Sequence, residues 1–170
     1  MAAEGTNPYW CDEQTMRERI KFHESVVAEQ PDARSIAMFV SKSSNDNFVV
    51  YKWENDTSTF KPYWILIKDR EEKPYKRSEL NAFDLSLYAP YINSNWEITL
   101  AAPQLSRYIL NLSLNDKDEP TLTGTLDGKL AIVEKAFVEM CPGLLPDVKQ
   151  MTVYGRCVKT NQEIQEIITN

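Results

Sequence analysis

The sequence predicts a mainly β protein, with about eight antiparallel strands in a closed or nearly closed barrel, or in a sandwich. An N-terminal helix and a short helix after the third strand complete it. Three observations predict this. Short apolar–polar alternations recur between turn clusters along most of the chain. The run from Phe60 to Lys68 is aromatic and β-branched, and apolar on both alternating sets, so it needs cover on both faces. Asp127-Gly128 separates two further runs and is a strong two-residue hairpin signal. Closure of such strands would be calycin-like, with an interior either filled by side chains or able to hold one small ligand.

Residues 1–11 read as an extended arm, because Asn7-Pro8 disfavours helix. Tyr9 and Trp10 are large and apolar for a free tail and are expected to dock on the body. Asp12 suits an N-cap, and the helix should run from about Glu13 to Glu29, stopped by Pro31. Met16, Ile20 and Val27, with Phe22 or His23, give its apolar stripe. His23 reads as a packing or surface residue rather than a ligand or base.

Strands follow. Ser35–Ser41 alternates, with Ile36, Met38 and Val40 on one face. After the turn cluster Ser43–Asp46, Asn47–Trp53 places Val49, Tyr51 and Trp53 on one side and Phe48 and Val50 on the other. Glu54–Thr57 turns the chain into the Phe60–Lys68 strand, where Tyr63 and Trp64 should point opposite ways, one inward and one beneath a helix. Asp69–Arg77 reads as a loop, with Ser78 capping a helix that reaches Leu87 and closes at Ala89-Pro90. Trp96–Ala101, Arg107–Leu114, Thr121–Leu126, Lys129–Met140 and Val148–Lys159 are the remaining strands, with a break at Pro142–Pro146. Ile164, Ile167 and Ile168 anchor a short amphipathic tail. Nothing divides the chain, so residues 1–170 form one domain: arm and helix over 1–31, β body over 35–159, tail over 160–170.

With 170 residues the chain suffices for one core. A formal charge of −6 argues against nucleic acid, which needs a concentrated basic surface. The basic residues Lys68, Arg70, Lys73, Lys76 and Arg77 are interrupted by Glu71 and Glu72, as in a solvated loop. No run of apolar residues is long enough for a membrane span, and Met1–Asn7 lacks the features of a secretory signal, so a soluble cytoplasmic protein is expected. Three cysteines, Cys11, Cys141 and Cys157, form no disulfide framework; reduced thiols are expected, with a Cys141–Cys157 bridge the alternative in an exported chain. One histidine and no Cys-x-x-Cys pair offer no zinc site. No residue pattern names a cofactor.

The landmarks Met38-Phe39-Val40, Asn47–Tyr51, Tyr63-Trp64-Ile65, Glu79-Leu80-Asn81, Leu87-Tyr88-Ala89 and Thr152–Thr160 occur in an order that resembles the uncharacterised family called domain of unknown function 4833. The resemblance covers roughly residues 36–168, with the Tyr-Trp-Ile strand and the terminal Gly-x-x-x-x-Thr turn as its best points. Phe83–Pro90 departs from it, since the family's helix there is charged and ends in an Ala-Tyr-Gly-like sequence. Bacterial relatives also tend to carry an export signal. The resemblance implies a β-rich fold and, because the family has no accepted activity, carries over no catalytic residue.

No nucleophile elbow, phosphate loop or His-Glu-x-x-His motif is present, so no catalytic residue is assigned. The carboxylates Asp84, Glu97, Glu134 and Glu139 lie within or beside apolar elements, but solvated faces explain them. The aromatic supply is the stronger signal. Trp53, Tyr63, Trp64, Tyr88, Trp96, Arg107, Tyr108 and Tyr154 are the candidate ligand-binding residues, though an ordinary β core uses the same side chains. Three functions follow in order: a non-catalytic protein holding a small apolar or aromatic ligand inside the barrel, a protein–protein interaction subunit with a filled core, and an enzyme of unknown reaction. The implied partners are a small hydrophobic molecule or another protein.

Overall fold

The computed structural model describes residues 13–67, 75–102, 104–141 and 147–169. Among them are two helices, α1 (Glu13–Glu29) and α2 (Ala82–Tyr88). The strands are β1 (Ile36–Lys42), β2 (Phe48–Glu54), β3 (Thr59–Ile67), β4 (Tyr75–Glu79), β5 (Pro90–Ile92), β6 (Glu97–Leu100), β7 (Leu110–Leu114), β8 (Pro120–Leu126), β9 (Lys129–Cys141), β10 (Asp147–Cys157) and β11 (Glu163–Thr169). The expected docking of Tyr9 and Trp10, the Asp12 cap and the Pro142–Pro146 break lie outside the described residues.

One sheet runs in the order β4-β3-β2-β1-β9-β8-β7-β6-β5, with β10 and β11 branching from β9. It curls, but among the described residues its ends β4 and β5 do not pair, so the barrel is open. The reason lies in β9. On one edge it pairs antiparallel with β10 through most of its length. The other edge serves two strands: β8 over Lys129–Ile132 and β1 over Lys135–Val138. The β1 ladder is parallel, against the all-antiparallel expectation. Two arms of sheet therefore diverge from a fork at residues 133–134, and their inner faces enclose the main core. Met38, Val49 and Tyr51 from one arm meet Ile98, Leu110 and Leu122 from the other. Each of these side chains is 1% exposed or less.

A second layer covers the outer face of the first arm. Phe48 and Val50 of β2, Ile65 of β3, Phe39 of β1 and Phe137 of β9 pack beneath Ile20 and Val26 of α1. Tyr63 lies on this α1 side and Trp64 on the core side, opposite ways as expected. The two-sided cover expected for Phe60–Lys68 is more complete on its neighbour β2, where Phe48, Val49, Val50 and Tyr51 are all buried. His23 is fully buried as a packing residue. Its ring stacks on Phe48 at 3.9 Å. Nε2 donates to the Asp46 carbonyl at 2.8 Å, because a carbonyl can only accept. Ser41 Oγ lies 2.7 Å from Nδ1.

Two β-bulges change the expected facing. Ile36 pairs with Lys52 and Met38 with Tyr51, so Ala37 is the extra residue. Ala37 and Met38 both turn to the core, and Ile36 packs on the opposite face from Met38, not with it. On β9, Val133 pairs with Gly155 and Lys135 with Tyr154, which leaves Glu134 extra. Thereafter Ala136 and Val138 face the core.

Short or polar strands escaped the sequence reading. Tyr75–Glu79 is a strand of β3's ladder, not a loop, and Asn81 rather than Ser78 caps α2. Asn81 Oδ1 accepts from the Asp84 N–H at 2.9 Å while the Asp84 carboxylate accepts from the Asn81 N–H at 3.3 Å. Pro90–Ile92 and the C-terminal tail are also strands. Trp96 precedes β6 with φ of 61°, and residues 105–107 form a 3-10 turn ahead of β7. The Asp127-Gly128 hairpin is as expected, with φ of 50° and 76° and Leu126 paired to Lys129. Cys157 sits opposite Ala131, ten residues before Cys141 on β9. That separation is about 33 Å. A disulfide spans at most about 7 Å between Cα atoms, so the Cys141–Cys157 bridge is excluded. Cys157 is a free thiol. Among the described residues no helix is long and apolar enough to cross a membrane.

Gly155 lies where β10 passes the β9 bulge, and a Cβ there would sit 2.3 Å from the Ile132 carbonyl oxygen. A backbone atom cannot yield as a side chain can. Gly155→Ala is expected to destabilise the protein by about 3 kcal/mol in urea unfolding. Gly128→Ala, whose Cβ meets nothing within 4 Å but sits at φ +76°, should cost about 1 kcal/mol. Equal losses would show that the close approach at Gly155 does not matter.

Candidate functional site

The eight predicted ligand residues do not converge on one cavity. Trp53 is buried in the core and its ring lies 5.4 Å from that of the half-exposed Trp96. Trp64 meets Tyr88 edge-on at 5.7 Å and donates from Nε1 to Asp84 Oδ2 at 2.9 Å, so the α2 capping carboxylate also ties α2 to β3. The Tyr88 carbonyl accepts from Tyr51 Oη at 3.0 Å. Tyr108 is buried elsewhere and donates to Glu166 of β11, while Arg107 is exposed. Tyr154 lies on the outer face, with Lys135 Nζ 5.8 Å from its ring centre.

Tyr63 belongs to a charged network on the α1 side. Arg77 makes a bidentate pair with Asp32 at 2.7 and 2.8 Å and reaches Gln30 Oε1 at 3.0 Å. Lys52 Nζ lies 2.7 Å from Asp32 and 3.3 Å from Glu54. Tyr63 donates to Glu54 and its ring lies under the Arg77 guanidinium. Burial and the Glu54 carboxylate push the Tyr63 hydroxyl up to about 12. The Arg77 hydrogen bonds, aided by Lys52, hold the Asp32 carboxyl far below the usual carboxylate range. Each of these charges faces an opposite one. The network fastens the segment after α1 to β2 and β4, which is a structural role.

A cavity of about 300 Å³ lies instead at the fork of the sheet. Glu24, Val27 and Ala28 of α1 form one wall. Ala33 and Ile36 close one end. Ala37, Met38 and Phe39 of β1 and Glu134 and Lys135 of β9 form the rest. Both bulge residues, Ala37 and Glu134, are among these, and bulges commonly re-aim side chains beside binding sites. On β9 the bulge turns Glu134 and Lys135 outward together. The polar groups at the rim are paired: Lys135 Nζ lies 3.1 Å from Glu24 Oε2, and Arg156 Nη2 lies 3.0 Å from Glu134 Oε2. The result is an open groove whose lining is nearly as polar as it is apolar, edged by paired charges. None of the eight predicted residues lines it; Tyr154 touches one lining residue, Lys135. Glu134 was singled out in the sequence as a carboxylate beside apolar positions, but nothing in the periodicity marks the bulges that place it. Among the described residues no group of three or more His, Cys, Asp or Glu side chains is placed to hold a metal ion.

Fold and site together define an open, curled β-sheet domain with one helix packed on its outer face and a groove where the sheet forks. The chain belongs to the domain of unknown function family DUF4833, which matches residues 38–167. This is the family the strand landmarks resemble. Neither a search of curated proteins nor one of solved structures finds a match to the chain.

The lowered pKa of Asp32 fixes the direction of its pH dependence. A carboxyl stronger in the folded than in the unfolded chain contributes stability above the unfolded value near 4, and that contribution is lost as pH falls towards the folded value. Asp32→Asn should therefore cost about 1–2 kcal/mol at pH 7, a figure reduced because the pair is partly exposed. The gap between variant and parent should narrow steadily from pH 4 to pH 2 in denaturant titrations. A gap independent of pH would remove the ionic network as its source.

Proposed function

We propose that the protein is a non-catalytic binding protein for small apolar or aromatic molecules, held in the groove between α1 and the fork of the sheet. The observation that supports it is the hollow itself. Its volume of about 300 Å³ falls at the lower end of known ligand sites, so it suits one or two rings. Lys135, Glu24 and Glu134 at its rim would orient a polar substituent, and the exposed half of α1 leaves the entrance open. An interior site is less well supported, since the inner-face side chains of the two arms pack against one another.

The test is methyl NMR of the full chain, titrated with a panel of small aromatics such as indole, naphthol and benzoate. Saturable shifts confined to Val27, Ala28, Ala33 and Ile36 are expected. Ala28→Trp should fill the groove and abolish them, while leaving stability within about 0.5 kcal/mol because Ala28 is exposed. Shifts centred instead on Leu110 and Leu122 would move the ligand inside, and none across the panel would sink the reading for these compounds.

The interaction-subunit reading rests on a different observation. Ile109, Leu130 and Val158 are 59%, 56% and 48% exposed. The Val158 N–H donates to the Leu130 carbonyl at 3.0 Å, so the latter two adjoin on the outer surface. A second copy of the chain would cover such a row. Sedimentation velocity should then show a concentration-dependent dimer that Leu130→Lys abolishes, whereas a monomer at every concentration eliminates self-association.

A further inference from the structure

β11 is held by one neighbour. It pairs with β10 along its whole length, from Glu163 opposite Arg156 to Thr169 opposite Gln150. Among the described residues no other strand pairs with it. In an antiparallel ladder successive residues turn their backbone groups alternately towards the neighbour and away from it. The phase is set at the start of the strand. There the Cys157 N–H donates to the Gln162 carbonyl at 2.8 Å, and the Val158 N–H donates the other way, to Leu130 of β9. Ile164, Glu166 and Ile168 therefore direct their N–H and C=O groups to β10. Those of Glu163, Gln165, Ile167 and Thr169 point outward, and among the described residues they meet no backbone partner.

Sheet edges in soluble proteins are commonly blunted by proline, lysine or shortness. The other two ends of this sheet show such devices. β5 has three residues and begins with Pro90, which has no N–H to offer. β4 carries Lys76 and Arg77. β11 has seven residues, no proline and no basic side chain. Its charges are of one sign. Glu163 is exposed on the outer face, and Glu166 lies on the face of Ile164 and Ile168. Among the described residues neither is in an ion pair: Arg156, opposite Glu163 in the ladder, pairs instead with Glu134. Glu166 accepts from the Tyr108 hydroxyl and from the Asp127 N–H at 2.9 Å. Both donors are neutral, and a carboxylate has further lone pairs to offer. On the same face as Glu163 stands Ile167, 54% exposed.

We propose that the edge of β11 receives an extended basic segment of another protein as an added antiparallel strand. The outward backbone groups of Glu163, Gln165, Ile167 and Thr169 supply the ladder. An apolar side chain of the partner covers Ile167, and Lys or Arg residues one and four positions further along face Glu166 and Glu163. A second copy of β11 fits less well, since it would bring two more carboxylates and no cation. The edge shares no residue with the fork groove, so the two readings stand or fall separately.

The experiment uses the full chain and the end-capped peptide Thr-Thr-Val-Lys-Thr-Val-Lys, labelled with fluorescein, at low salt. Saturable anisotropy is expected. Amide hydrogen exchange read by NMR should slow at least about tenfold at Gln165 and Ile167 on binding. Glu163→Lys, at an exposed side chain, should weaken binding about tenfold. Gln165→Pro removes an outward N–H without touching a bond to β10, so the circular dichroism spectrum should be unchanged while binding is lost. The same peptide with both lysines replaced by glutamate should not bind. Absence of saturation, equal binding of the acidic peptide, or undiminished binding by Gln165→Pro overturns the proposal. Slowed exchange at the same amides without peptide, growing with protein concentration, also overturns it and assigns the edge to a second copy.

Discussion

The structure depends on the hydrogen bonding of β9. A strand has two edges, and one edge of β9 is shared between β8 and β1. β8 is bound to β9 by its hairpin and runs antiparallel to it. β1 arrives parallel, and cannot start until the β8 ladder has ended. Strands that share an edge in succession cannot lie in one plane with both their neighbours, so the arms separate. The separation makes room for the core between them and leaves the groove behind them. Two of the three register shifts in these ladders, at Ala37 and Glu134, sit at this junction, where the ladders change hands.

Once the arms diverge, the first is left with an outer face that a barrel would have given to solvent. Its sequence did not allow that. Phe48, Val50 and Ile65 are each fully buried on this face, and α1 covers them. The burial of each large apolar side chain contributes about 1.5–3 kcal/mol. His23 is the polar exception in that layer. Both ring nitrogens have partners, which makes its burial tolerable and joins α1 to the turn between β1 and β2. At the rim the layer ends in the Asp32–Arg77–Lys52–Glu54 network. There every carboxylate is held by a cation, so the charges act as a fastening.

The sequence made legible what local chemistry decides. α1 was bounded correctly because Pro31 and the acidic first turn are local signals. The β8–β9 hairpin was clear because Asp-Gly matches the two positive φ values of its turn. The opposite facing of Tyr63 and Trp64 followed from the period of a strand. What was hidden is what distant pairing decides. Tyr75–Glu79 carries Lys76, Arg77 and Glu79, and is a strand only because β3 offers it an edge. β11 reads as a short amphipathic tail until β10 supplies its ladder. The fork leaves no mark in composition, so closure of the barrel was the natural expectation. The bulge at Ala37 reversed Ile36 relative to Met38, which strict alternation cannot foresee.

The aromatic residues of the interior are engaged with one another and with polar partners. A ring used as structure is unavailable to a ligand. Trp53 is spent on Trp96, and Trp64 on Tyr88 and Asp84. To open a ligand-sized space among such residues, one or more would have to be removed, and each large aromatic lost from a core costs about 3–5 kcal/mol. A domain's whole margin is about 5–15 kcal/mol. The fork carries no such cost. Its walls are the partly exposed flank of α1 and two stretches of strand beside bulges, so a hollow there empties no packed core volume. A ligand entering it would cover apolar surface of Val27, Ala33 and Ile36 that the folded chain leaves only half-buried. In a sheet that forks, capacity for a small molecule therefore arises most cheaply outside the core, at the place where the ladders part.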